Sequence, residues 1–467
     1  MRKHLLGIAI ALAVLIIAVS IWIVAKSFQT GAPAQAIPIA ATTSQTKVAP
    51  VERSKTFQER MQSGEEFLKL ENFEKAASEF AAAAANEPSA IEPLLNLAEA
   101  QVQLKEFDKA RANLIAAEQL DATNPDIFIL RGIIFLREEN FLEAEKAFAK
   151  GGETANFWRG LISAFFDKTD EAKKFLGQTS DARAPKILSA YAEYETFPDS
   201  PKTHLDTLLT RAFLAIGEYE LALAKIGPVL EDDANYRDAW LLTGYAQFAK
   251  QKFELARQSW QTAYALDPGK PETQYFLGLA NFELGNFAEA EKFLLLAREN
   301  RVAAHDLDAK LIELYFAQGK YRAAADLLAK KISQNQNTAL EDFTQPVSLY
   351  LEKLRDGRSA WNLANLAMQR FPKSAMAYNL AGWVSLANGY QVEARAQLEQ
   401  AVKLDPSLPW PYYNLGQLFE KSGKRDAALA AYHEAFDLDT TGPAGLLAAR
   451  NYNRLLAATK PNASTNE

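Results

Sequence analysis

Apolar residues along this chain recur in long runs at helical spacing, with charged positions between them, and no segment alternates with the two-residue period of a half-buried strand. The pattern predicts helix after helix. The helices end at regular places. "LDP" occurs at 266–268 and at 404–406, "LDA" at 120–122 and "LDT" at 438–440, and proline closes helical runs at Pro88, Pro268, Pro372 and Pro406.

Counting from those stops exposes a fixed unit. A unit starting at Ala375 has Tyr378 at position 4, Ala381 and Gly382 at 7 and 8, Ala394 at 20, Leu398 at 24 and Ala401 at 27. The next, starting at Pro409, repeats the scheme with Tyr412, Leu415, Gly416, Phe419, Ala428, Tyr432 and Ala435. Small residues at 8, 20 and 27 let two antiparallel helices approach closely. Large ones at 4, 7 and 24 fill the flanks. Further units start at 341, 305, 271, 237 and 203, and a separate run starts at 57, 91 and 125. Position 8 holds Gly64, Ala98, Gly132, Gly244 and Gly278. Position 20 holds Ala76, Ala110, Ala144, Ala222, Ala256, Ala290, Ala324 and Ala360.

Ten aligned units of about 34 residues resemble the tetratricopeptide repeat family. The resemblance implies an all-α fold, a right-handed superhelical solenoid of tandem antiparallel helix pairs in which each unit contacts its neighbours. The expected organisation is a first subarray over 57–152, a degenerate repeat or bend over 153–202 and a second subarray over 203–442. A capping helix at 443–460 and a disordered tail at 461–467 follow. Within 153–202, "NFWRGLISAFF" predicts a first helix with Gly160 at position 8, Ala172 fits its partner, and a further helix is predicted over Ala184 to Glu195. This stretch is either an irregular repeat that bends the array or a private docking surface.

The N-terminus departs from the pattern. After a short cytoplasmic start at 1–4, Leu5 to Ala25 carries no charge. Twenty-one helical residues span about 32 Å, enough for a hydrocarbon core of about 30 Å. A transmembrane helix is therefore predicted over 5–25, with Trp22 and Lys26 as interface anchors. Cleavage after "APAQA" at 32–36 is the alternative. Arg2 and Lys3 precede the helix and only Lys26 closely follows it, which predicts a cytoplasmic N-terminus and extracytoplasmic repeats. A flexible spacer at 26–56 separates the two. The absence of cysteine fits an oxidising compartment.

Charge narrows the partners. The first 50 residues carry +4 (Arg2, Lys3, Lys26, Lys47 and no acid) of an overall −7, leaving −11 on the remainder. An acidic array argues against nucleic acid and against lying flat on anionic lipid. The chain has no Gly-rich phosphate loop, no G-x-S-x-G and no H-E-x-x-H, and its four histidines lack ligand spacing. No catalytic residue, cofactor or metal is expected. An enzyme hidden in 153–202 is the minor alternative.

The family resemblance implies binding of peptides or proteins along a groove lined by the first helix of each pair. Its carboxylate-clamp subclass is not matched. Asn96 and Asn414 sit at position 6, but the flanking units offer Met61, Glu65, Asp126 and Leu130 around the first, and Asn379 and Trp383 before the second. In the family register, positions 2, 5, 9 and 12 face the groove. That makes Trp383, Trp410, Tyr413, Tyr245, Tyr275 and Phe282 the candidate partner-binding residues, with Tyr412 expected between its own helix pair. The tryptophans are the informative members, because positions 2 and 9 are usually polar. The expected protein is a membrane-anchored scaffold of the cell envelope holding a protein or peptide partner. A carbohydrate-handling component of an exopolysaccharide system, with polysaccharide as ligand, is the alternative.

Overall fold

The computed structural model describes residues 55–197 and 199–457. Among the described residues lie 24 α-helices and no strand. The predicted transmembrane helix and most of the spacer, and the end of the chain beyond 457, lie outside the described residues. The chain forms two compact units, one ending at Ala304 and one starting at His305.

In the first unit, helices pair in chain order: α1 (Phe57–Lys69) with α2 (Phe73–Asn86), α3 (Glu92–Gln103) with α4 (Phe107–Leu120), and α5 (Pro125–Arg137) with α6 (Phe141–Lys150). The degenerate stretch holds a shortened pair, α7 (Asn156–Phe165) and α8 (Thr169–Gly177), then one unpaired helix, α9 (Ala184–Glu195). Regular pairing resumes with α10 (Lys202–Ala215) and α11 (Tyr219–Asp232), α12 (Arg237–Ala249) and α13 (Phe253–Leu266), and α14 (Pro271–Glu283) and α15 (Phe287–Glu299). The odd helix α9 packs mainly on α10.

The second unit starts with α16 (Leu307–Ala317) and α17 (Tyr321–Gln334). Its next pair departs from the expected regular helices. The first member is a 3-10 turn at Leu340–Phe343, a short α18 at Thr344–Ser348 and a π turn at Leu349–Lys353, before α19 (Gly357–Arg370). Pro346 lies inside this segment and supplies no N–H to a helical ladder. The wider π turn, closed by Leu354 N donating to Leu349 O at 3.0 Å, absorbs extra length. Regular pairs follow: α20 (Ala375–Ala387) with α21 (Gln391–Leu404), and α22 (Pro409–Lys421) with α23 (Arg425–Leu438). Helix α24 (Pro443–Ala457) closes the unit on α23.

Small residues sit where the helices cross. Ala76, Ala110, Ala144, Ala222, Ala256, Ala290, Ala324, Ala360, Ala394 and Ala428 are all fully buried. The glycines at position 8 face the large residue at position 24 of the same unit. A Cβ on Gly64 would lie 2.4 Å from Phe80, on Gly132 2.4 Å from Phe148, and on Gly382 2.6 Å from Leu398. The missing side chain is the space the opposing one occupies. Each filled position contributes roughly 1.5–3 kcal/mol of apolar burial.

Turns explain the punctuation. Between the helices of a pair, the amide of Asn72 donates to Phe67 O at 2.9 Å and that of Glu71 to Leu68 O at 3.0 Å. This double closure needs a left-handed residue at its centre. Glu71, Lys105, Glu139, Asp167, Gln251 and Arg355 adopt that conformation without being glycine. Between pairs, the Asp of "LD" turns on itself: Asp405 accepts from Ser407 N at 3.0 Å and Ser407 Oγ at 2.7 Å, and Asp121 accepts from Thr123 N at 2.9 Å. Hydrogen bonds from the Ser407 and Thr123 hydroxyls and amides hold both carboxyls below their ordinary range.

Candidate functional site

The predicted site residues separate into two groups. Tyr275 is 1% exposed and Tyr245 7%, and Tyr245 meets Phe276 edge-on at 6.3 Å. Phe276 in turn stacks on the fully buried Trp260 at 5.0 Å. Phe282 is half-buried and tilted against Phe287 at 6.0 Å. In the first unit, then, Tyr245 and Tyr275 pack inside the helix stack. They are not on offer to solvent.

The second unit differs. Trp383 on α20 and Trp410 on α22 are half-buried. Pro409 and Pro411 start α22, because a helix's first turn needs no N–H from them. Trp410 stands edge-on to Tyr413 at 5.9 Å, and Tyr413 tilts onto Tyr432 at 6.0 Å. The Tyr413 hydroxyl accepts from Gln417 Nε2 at 3.0 Å, and its ring packs beside the cluster of Ala428, Tyr432, Ala435 and Ala448 that α24 completes. Desolvation pushes the Tyr413 hydroxyl above its ordinary pKa, against a hydrogen bond with Asn451 of α24 that pulls the other way. Tyr412 is half-buried on the same cluster, three of whose members, Ala428, Tyr432 and Ala435, lie on α23, the partner of its own helix. The cap helix α24 adds Ala448 to the same cluster.

Trp383 makes no hydrogen bond or ring contact with any described residue. Below these rings, Asn414 Nδ2 donates to Asn379 Oδ1 at 2.9 Å, with Asn414 4% and Asn379 7% exposed. The Asn414 donor is thus spent inside the seam between α20 and α22, and Asn379 Nδ2 faces Met376 Sδ at 3.9 Å.

Charge is also organised in the first unit. Arg137 donates to Glu218 at 2.7 and 3.2 Å and to Glu220 at 3.2 Å, while Lys250 reaches Glu220 at 3.0 Å and Glu139 at 3.3 Å. Glu218 is 2% exposed. Lys225, 5% exposed, lies 2.9 Å from Asp206 and also bonds Asp167 and the carbonyl of Phe165. These pairs join α5 and the α7–α8 turn to α10 and α11 across the irregular stretch. Every charge has a partner, which makes this a structural network. Among the described residues no group of three or more His, Asp and Glu could hold a metal ion.

Two exposed aromatics escaped the family register. Trp361 is 45% exposed on α19 and Tyr390 is 55% exposed at the start of α21. They fall at positions 21 and 16, away from the groove positions. A comparison among the repeats themselves would have found them.

Tetratricopeptide repeat models match residues 61–125, 207–271, 250–304 and 411–441, and a TPR repeat model matches 386–423. Among curated proteins, the chain is 22% identical over 295 residues to TPR repeat-containing protein YpiA of Bacillus subtilis (strain 168), covering 62% of this chain and 60% of the relative. It is 25% identical over 236 residues to DnaJ protein P58IPK homolog B of Oryza sativa subsp. japonica, covering 48% of each. The chain thus spans between about half and three-fifths of these relatives' length. Among solved structures, it is similar to the C-terminal part of a TPR repeat-containing protein from Cytophaga hutchinsonii, at 13% identity over 52% of this chain and 98% of that one, with a TM-score of 0.38. Yeast Tom70 is similar at 15% identity over 86% of this chain and 96% of that one, with a TM-score of 0.28.

Proposed function

The chain is a tetratricopeptide repeat protein, and from that premise we propose that it is a non-catalytic scaffold whose last two repeats hold a protein or peptide partner. The observation that carries the reading is the state of Trp383 and Trp410. Both lie on successive first helices, both are half-buried, and Trp383 makes no hydrogen bond or ring contact with any described residue. Half-open tryptophans on adjacent helices suit the large contact area and low entropy cost of a binding hot spot. The proposal places the scaffold in a cell envelope, held to the membrane by Leu5 to Ala25 with the repeats outside the cytoplasm. The charge-free length of that segment and the Arg2–Lys3 bias support this part.

The test uses the full chain with a photo-cross-linker near Trp410 in its native membrane. A partner identified this way should be lost from Trp383→Ala and Trp410→Ala, with helical content and melting nearly unchanged. If both variants melt lower and binding follows stability, the two rings are core and the site is elsewhere. A reporter active only outside the cytoplasm, fused after Glu467, should work; activity of a cytoplasm-only reporter there reverses the orientation.

A further inference from the structure

A second site lies away from the first helices. A cleft of about 740 Å³ opens between α19 and α21, floored by the end of α20. Its size falls within the range of small-ligand sites. Arg358, Trp361 and Asn365 line one wall at helical spacing, Glu393 and Gln397 line the other, and Tyr390 stands at the rim.

The frame of the cleft is firmly held. Asn388 Nδ2 donates to Gly357 O at 3.0 Å, and a Cβ on Gly357 would fall 1.7 Å from Asn388 Oδ1, so only glycine admits this amide. The left-handed turn at Gly389 (φ 84°) returns the Tyr390 amide to Ser385 O at 2.9 Å and sets the phenol's place. Ser385 Oγ donates to Gln397 Oε1 at 2.7 Å, which leaves the Gln397 amide protons free to point outward. The same tie recurs as Ser259 to Gln247 at 2.8 Å and Asn113 to Gln101 at 2.8 Å, and belongs to the repeat.

What is particular to this cleft is what the other repeats lack. Among the other repeats, the position of Trp361 holds Arg111, Glu145, Arg257, Glu291 and Arg395 in five and Ala77, Leu223, Ala325 and Leu429 in four. At the position of Tyr390 they carry Asn72, Glu106, Asn140, Lys252, Asn286 and Lys424. No other repeat has an aromatic residue at either position, and the position of Tyr390 is polar in all nine others. Packing does not explain the exchange, since both rings remain about half exposed. Arg358, Asn365 and Glu393 make no hydrogen bond or ion pair with any described residue.

We propose that this cleft is a pyranose-binding subsite for a neutral polysaccharide or oligosaccharide. A sugar ring presents a flat C–H face that stacks on an aromatic ring, and an edge of hydroxyls that planar amide, carboxylate and guanidinium groups bind in pairs. Trp361 and Tyr390 offer the first, and Asn365, Gln397, Glu393 and Arg358 the second. One cation and one anion cancel, which favours an uncharged ligand. A peptide anchored by an apolar side chain would need aliphatic depth, and no Leu, Ile, Val or Met lines the cleft.

The experiment is native electrophoresis of the full chain through gels containing dextran, hydroxyethyl cellulose, galactomannan or glycol chitin. At least one polymer should retard the protein, and Trp361→Ala should weaken that retardation at least tenfold. Glu393→Gln, at an exposed residue that leaves the fold untouched, should weaken it severalfold. Trp410→Ala, in the site proposed for the protein partner, should bind glycan as the wild type does. The proposal is overturned if none of the four polymers retards the chain, or if Trp361→Ala and Glu393→Gln migrate like the wild type. It is also overturned if a displayed peptide library yields binders that depend on Trp361 while no glycan does.

Discussion

Replacing Gly244 with alanine adds one methyl group where the structure has no room for it. The new Cβ would stand 2.3 Å from Trp260 Nε1, 2.5 Å from Cδ1 and 2.8 Å from Cε2. Trp260 is fully buried, stacked on Phe276, and donates its indole N–H to Leu241 O at 3.0 Å. A rigid bicyclic ring cannot bend its tip aside, so the whole indole or helix α12 must shift. Overpacking of this kind costs about 1–3 kcal/mol, and stranding the buried indole donor about 1–3 more. Alanine's better helix propensity returns about 0.5–1 kcal/mol. The net expectation is a loss of about 1–5 kcal/mol. Urea unfolding followed by circular dichroism measures it, with amide exchange over 237–266 reporting whether the damage is local, because a repeat array need not unfold in two states. Gly177→Ala is the control: exposed, at the end of α8, with nothing within 4 Å of its added methyl. It should be neutral or slightly stabilising. Equal stability of Gly244→Ala, Gly177→Ala and the wild type would refute the idea that position-8 glycines exist to admit the residue at position 24.

Two further outcomes follow from the charges. Arg137→Met should lower stability by about 3–5 kcal/mol, since it strands Glu218 at 2% exposure, and adding Glu218→Leu should restore most of the loss in the same thermal melt. Asp356 caps α19 through Ser359 N at 3.0 Å and pairs with Arg322, and the Arg322 hydrogen bond holds its carboxyl down to about 2. Its contribution is therefore complete above the ordinary carboxylate pKa of 3.8 and vanishes as pH falls through about 2; between those values the wild type should lose more stability than Asp356→Asn.

Local chemistry made much of this protein legible in advance. The 34-residue period, the stops at "LDP" and the small residues at 8, 20 and 27 act through the nearest helix. Ala394 and Gly382 could thus be placed in a crossing seam from spacing alone, and both the short pair with Gly160 and the helix from Ala184 to Glu195 were readable where the pattern weakened. Which rings stay open was decided by tertiary structure. Tyr275 shares the repeat position of Tyr413 and Tyr245 holds another groove-facing one, yet the first two lie within the stack while Tyr413 meets the terminal helix. Repeat position specifies a direction from the helix axis; what lies in that direction depends on neighbouring repeats, whose side chains differ in size. The Arg137–Glu218 and Lys225–Asp167 pairs were hidden for a related reason, because their partners are brought together across an irregular stretch that has no period to count. Tyr390 was written in the sequence as an aromatic among polar counterparts, and Trp361 as the one ring at its repeat position. Only the fold placed them on the two sides of one cleft, since the residues between them fold into α20 and a turn whose direction Gly389 sets.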